Sequence, residues 1–221
     1  MNRESDGALK DRALISYHSN AAGGRGVTAL HNTSHGGTTP NQVEYARALA
    51  QEINDDLVDQ NGLLDPDWHD RGTNVLYEHP DFNYGELNNS LINNEFDATI
   101  VEVAFHDNLS DTQLMREQYV RDAVARATYQ GLVKYFRSVD GNTTSATELP
   151  PPVAGVHAQS NASGSVTISW VTPASNDYAG GAPTAYRIYA STNGYGFDGG
   201  TLVDGGAATT ASPARNLRTS I

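Results

Sequence analysis

The chain contains no cysteine. That absence removes disulfides, thiolate metal sites and cysteine nucleophiles together, and leaves His, Asp and Glu as the side chains able to hold a metal. Positive charge is also scarce: 14 Lys and Arg stand against 26 Asp and Glu, a formal net charge of −12. A nucleic-acid or anionic-membrane partner relies on dense Lys and Arg, so neither is expected. No apolar run approaches the roughly 20 residues of a membrane span, and Met1-Asn2-Arg3-Glu4-Ser5-Asp6 lacks the apolar core of a signal peptide. The expectation is a monomer without membrane insertion, and the sequence as written carries no export address.

What is present suits one sizeable core and part of another. The 221 residues are 38% hydrophobic, with 21 glycines, and the composition changes sharply after Val139. Residues 140–152 form a polar linker ending Pro150-Pro151-Pro152, a sequence that favours extended backbone. Before it, 13–17 and 26–31 read as strands. A helix follows, with Thr39 as cap, Pro40 at its first position and Gln42 completing a capping box. Val43, Ala46, Ala50, Ile53 and Leu57 give its apolar stripe, and Gly62 lies beyond its end. A strand is expected around 74–77 and another at 98–105, followed by helices over 111–116 and up to Arg137. Val120, Val124, Ala127, Gly131 and Tyr135 mark the buried stripe of the last helix, with Gly131 allowing close approach to the sheet. Strands alternating with helices predict a three-layer α/β domain with a mostly parallel central sheet.

After the linker the pattern becomes all-β. Val166-Thr167-Ile168-Ser169-Trp170 alternates with period two, as do residues 185–191 before the Asn193-Gly194 turn. Residues 201–221 show little strand character, so the module at 153–221 reads as a partial sandwich.

Two residues carry the chemistry. Glu102 stands in the apolar run Ala98-Thr99-Ile100-Val101-Glu102-Val103-Ala104-Phe105, and an ionised carboxylate in a buried strand is costly unless paired, metal-associated or held with a raised pKa. Those are a general base's conditions; a structural Arg pair or a water-facing edge strand would equally account for it. His18 falls at the carboxyl end of the first strand, the edge at which open α/β sheets bind ligands. Taken alone, a His at a strand end is more often a surface or packing residue than a ligand.

Order and separation add more. Residues 14–22 (Leu-Ile-Ser-Tyr-His-Ser-Asn-Ala-Ala), then 24–30 (Gly-Arg-Gly-Val-Thr-Ala-Leu), the helix, and 100–108 (Ile-Val-Glu-Val-Ala-Phe-His-Asp-Asn) resemble the zinc-dependent N-acetylmuramoyl-L-alanine amidases of the Amidase_3 type. The likeness covers roughly residues 9 to 137 and assigns 1–139 to the C-terminal part of such a catalytic domain. It implies that His18, in the Ser-x-His-x-Asn motif, is a zinc ligand, and that Glu102, in Val-Glu-Val-x-Phe, is the catalytic carboxylate. The implied reaction is hydrolysis of the amide between N-acetylmuramic acid and L-alanine in peptidoglycan. Zinc would acidify a bound water to a pKa of about 7, and Glu102 would pass its proton to the leaving amine. An extracellular or cell-envelope location follows from the same resemblance.

One departure is plain. The family's two further zinc ligands, a His and a Glu, lie upstream of the histidine motif, and the residues before His18 contain no His. Two readings compete: an N-terminally incomplete amidase, or a non-catalytic cell-wall binding or adhesion protein built on an amidase remnant. His31, His35, His69, His79 and His106 are the other candidates; His35, in Ser34-His35-Gly36-Gly37, stands in the wrong order for a ligand. Glu86 reads as a charge favoured by a helix N-terminus, and Asp55, Asp56 and Asp59 as a solvated helix end, without a calcium loop's spacing. The second module, with Pro151-Pro152-Val153 and the strands of Trp170 and Tyr186, resembles a fibronectin type III domain with Trp170 in its core.

Overall fold

Strands β1 (Ala13–Asn20), β2 (Thr28–His31), β3 (Leu76–Glu78) and β4 (Asp97–Phe105) make one sheet in the order β1-β4-β2-β3. They belong to a computed structural model that describes residues 12–34, 36–78, 84–146, 149, 150, 153–173, 181–191, 193, 196–205, 210 and 211. The chain divides into two compact units, Met1–Thr147 and Glu148–Ile221.

The sheet is mixed rather than mostly parallel. β1 pairs β4 and β2 pairs β3 in parallel, but β2 and β4 are antiparallel. The short connection over residues 21–27 explains this, because a parallel return needs a crossover of about a dozen residues or more. β2 therefore runs back, and β4 enters between it and β1. β4 is buried along its whole length, as its near-continuous apolarity leads one to expect, and it takes Asp97, Thr99 and Glu102 inside with it.

The two faces of β4 meet different partners. Val101 and Val103 pack with the buried stripes of α1 (Gln42–Val58) and α4 (Gln118–Val139), while Ala98 and Ile100 pack with Leu30, Leu87, Ile92 and Phe96. This second face is covered by a 3-10 turn (Gly85–Leu87) and the one-turn helix α2 (Asn89–Ile92). Each fully buried aliphatic side chain contributes about 1.5–3 kcal/mol relative to exposure. Gly131 does allow a close approach, but to α1 and not to the sheet: a Cβ there would lie 2.9 Å from the Ala48 carbonyl oxygen and 3.1 Å from Leu49 Cα.

The start of α1 departs from the capping-box expectation. Its N-cap is Asn41, without a side-chain cap bond. Thr39 instead donates to Asp97, while Gln42 accepts from the Asn32 amide at 3.1 Å and donates to the Ala98 carbonyl at 3.0 Å. Buried backbone and carboxylate groups of the sheet took the polar atoms that would have capped the helix. Asp56 also departs: it is 2% exposed, not solvated. Helix α3 (Leu109–Arg116) is capped by Asn108, whose side chain accepts from Ser110 and Asp111.

The second unit holds a three-stranded sheet of β5 (Ala154–Ser160), β6 (Val166–Val171) and β9 (Thr210–Ala211), and a pair of β7 (Ala185–Ile188) and β8 (Thr201–Asp204). Trp170 is buried against Tyr186, ring centroids 4.9 Å apart. Gly194 of the Asn193-Gly194 turn lies outside the described residues, as does most of 206–221. Among the described residues no helix is long and apolar enough to cross a membrane.

Candidate active site

Register alone brings the two singled-out residues together. His18 on β1 is paired with Glu102 on β4, and Thr28 on β2 is paired with Glu102 from the other side. Cross-strand partners share a face, so the three side chains form a row near the carboxyl end of β4, on the face opposite α1 and α4. Below them the row continues into Leu30 and Ile100. The apolar floor and the polar row thus come from one alternation.

Glu102 is 8% exposed, and its Oε2 is buried without a hydrogen-bond partner among the described residues. Burial raises its carboxyl pKa above the usual value, and the imidazoles of His18 and His106 pull in the opposite direction. Among the described residues no arginine pairs with it, and it is 8% exposed, so the described residues support neither structural account of this carboxylate. It lines a cleft of about 520 Å³ together with Asn20, Thr28, Arg71, Tyr84 and Phe105.

The histidine has a partner that the sequence did not suggest. His18 Nε2 lies 3.5 Å from Glu86 Oε1, with both side chains about a third exposed. Glu86 sits in a three-residue 3-10 turn, too short to have a useful dipole, and the imidazole is the group it faces. The helix-terminus reading of Glu86 is thereby corrected. The signal was its position ahead of the Glu102 strand, but only the sheet pairing reveals which histidine it reaches.

The other histidines are placed differently. His106 Nδ1 lies 3.0 Å from Ser19 Oγ on the exposed rim. His31 ends β2 with Nδ1 buried and without a hydrogen-bond partner among the described residues, and burial lowers its pKa. His69 is exposed in the loop before β3, and His35 and His79 lie outside the described residues. Among the described residues no group of three or more His, Asp or Glu side chains is placed to hold a metal ion. His18 and Glu86 offer two donors, whereas a catalytic zinc takes three from the protein. The described residues therefore do not by themselves fit that metal.

Two aspartates shape the rim. Asp107 Oδ2 accepts the amides of Ala22 and Gly23 at 2.7 and 2.9 Å, and Ala22 adopts φ +79° there. Asp111, fully buried, accepts the amides of Gly26 and Phe105 at 2.9 and 3.0 Å and the Arg25 Nε at 2.9 Å. One carboxylate thus ties the loop after β1 to the end of β4. Gly24 is required beneath Phe105, because a Cβ would come within 2.4 Å of the ring. Sequence reasoning passed over Asp107 and Asp111; their cue was the acidic residues just beyond the Glu102 strand.

Comparison with known proteins shows a family. Residues 6–134 match the model of the Amidase_3 family, N-acetylmuramoyl-L-alanine amidase. No curated protein matches the chain. Among solved structures, the chain is similar to the apo N-acetylmuramyl-L-alanine amidase Ami1 of Mycobacterium abscessus, at 24% identity and TM-score 0.38, over 56% of this chain and 54% of that one. It is similar to N-acetylmuramoyl-L-alanine amidase from Clostridium difficile 630 at 21% identity and TM-score 0.42, over 57% and 58%. Ami1 of Mycobacterium smegmatis gives 21% and 0.41, over 59% and 56%. The chain thus spans little more than half the length of these solved structures.

Proposed function

Because the chain belongs to the N-acetylmuramoyl-L-alanine amidase family, matching its model over more than half of its residues, we propose that its cleft serves hydrolysis of the amide joining N-acetylmuramic acid to L-alanine in peptidoglycan. The observation that carries this reading is Glu102: a buried, unpartnered carboxylate lining the cleft and register-paired with His18. A carboxylate with a raised pKa, excluded from bulk water, can take a proton from an attacking water and return it to the departing amine of alanine. His18 and Thr28 flank it in the same row. Zinc is proposed as the cofactor, with His18 as one ligand; Glu86 supports this by presenting a second donor beside it. A cell-envelope or extracellular site of action accompanies the substrate, and the second unit is proposed to be a fibronectin type III-like spacer or binding module.

The absence of a third donor among the described residues favours one further reading, a wall-binding protein without hydrolysis. On either reading the 221 residues should bind zinc weakly, and dialysed protein should retain far less than one zinc per chain by elemental analysis. Digestion of purified peptidoglycan with excess zinc, scored as new N-terminal alanine, separates the two. Hydrolysis predicts slow release that Glu102→Gln lowers by about 10²–10⁴-fold. Equal release by both proteins would remove Glu102 from the chemistry. Release by neither, with co-sedimentation on peptidoglycan retained, would establish the binding reading.

A further inference from the structure

Besides Glu102, the cleft is lined by one cation, Arg71. Its guanidinium is held in place by backbone: Nε donates to the Asn74 carbonyl at 3.0 Å and Nη1 to the Arg25 carbonyl at 2.9 Å. Its stem lies against Gly26, where a Cβ would meet Arg71 Cγ at 3.2 Å. Arg71 makes no ion pair among the described residues, and its remaining N–H donors have no partner there. Desolvation disfavours its charge, and Asp111 offsets this only in part. A guanidinium fixed by carbonyls, with its other donors unspent and no counter-charge in contact, is an anion-binding fork. The geometry matches the planar two-oxygen form of a carboxylate.

We propose that Arg71 is the specificity residue of this cleft and that it receives a free carboxylate of the stem peptide, next along the chain from the alanine at the scissile amide. This rests on the peptidoglycan reading above. The cleft then holds opposite charges for separate tasks: Glu102 for the proton and Arg71 for register along the peptide. A stem whose carboxylate is amidated loses the charge and one acceptor oxygen, and so binds less well.

The test is calorimetric binding to zinc-free protein, which separates recognition from turnover. The probes are N-acetylmuramoyl-L-alanyl-D-glutamate and its amide counterpart, N-acetylmuramoyl-L-alanyl-D-isoglutamine. The wild type should bind the acid about tenfold more tightly than the amide, as expected for one charge-assisted pair. Arg71→Gln should bring the ratio to about one, and Arg71→Lys, keeping the charge without the fork, should retain part of it. Equal binding of both probes by the wild type, binding of neither, or loss of both in parallel in Arg71→Gln would overturn the proposal; the last would mark Arg71 as a buttress for the loops. Should Arg71→Gln not fold by circular dichroism, the wild-type ratio and its reduction in Arg71→Lys decide. A retained acid preference without release of N-terminal alanine would overturn the hydrolytic reading and leave Arg71's role standing.

Discussion

Glu102 and Asp56 are both carboxylates inside the fold with raised pKa values, and they lead to different experiments. Glu102 lines the cleft, so on the proposed reading its protonation sets the rate. Because burial raises its pKa, the ionised base accumulates only at a higher pH than an ordinary glutamate would need. The rate of alanine release should therefore rise with pH along a limb displaced to higher pH than an ordinary glutamate gives, and His106→Ala, which removes an imidazole that lowers this pKa, should shift the limb further in that direction. Asp56 faces protein instead, beside Glu52, and is pushed from 3.8 up to about 8 by burial first and by Glu52 second. Between those values the folded chain holds a proton that the unfolded chain has released, so stability declines as pH climbs from about 4 through about 8. Asp56→Asn should be nearly neutral at pH 4 and stabilising by at least about 1 kcal/mol at pH 9, read by denaturant unfolding at both. A constant difference between the two proteins would show that Asp56 does not titrate in that window. Glu102 was legible in the sequence because an acid among β-branched residues breaks a pattern. Asp56 was not, because an acid near a helix end matches the solvated pattern, and its burial comes from a helix packed across it.

Helices α1 and α4 meet at Gly131, which the sequence placed correctly on the buried stripe and assigned to the wrong neighbour. A stripe of small residues reports that something comes close, not what. Gly131→Ala tests the contact against propensity. In an open helix the change would stabilise by about 1 kcal/mol, whereas here the added methyl meets the Ala48 carbonyl oxygen at 2.9 Å and should cost about 1–3 kcal/mol instead. A raised melting temperature would show that α1 yields without penalty. The strands divide the same way. The apolar run of β4 announced burial on both faces, which the sheet confirms. Direction was hidden, since an apolar run reads alike in parallel and antiparallel pairings; the short link between β1 and β2 held the information.

Charge acts on the whole molecule. A net −12 opposes approach to any wall polymer rich in carboxylates, even though Arg71 favours a single carboxylate within the cleft. Raising ionic strength toward about 0.15 M contracts the screening length to about 8 Å. Adsorption to intact peptidoglycan should therefore strengthen, measured by co-sedimentation, while the acid preference of the small probe weakens. Parallel weakening of both would mean that wall binding is carried by local cationic contacts. Composition located the change of character after Val139, because linkers are polar and proline-rich for reasons independent of fold. How histidine, glutamates and arginine converge required the sheet.

One oxygen of Asp111, Oδ2, accepts the amides of both Gly26 and Phe105, and this makes the rim a clock. Neither hydrogen can leave for solvent deuterium until that one buried group lets go. The two amides, far apart in sequence, should therefore exchange in step, and their shared rate would time how often the cleft loosens.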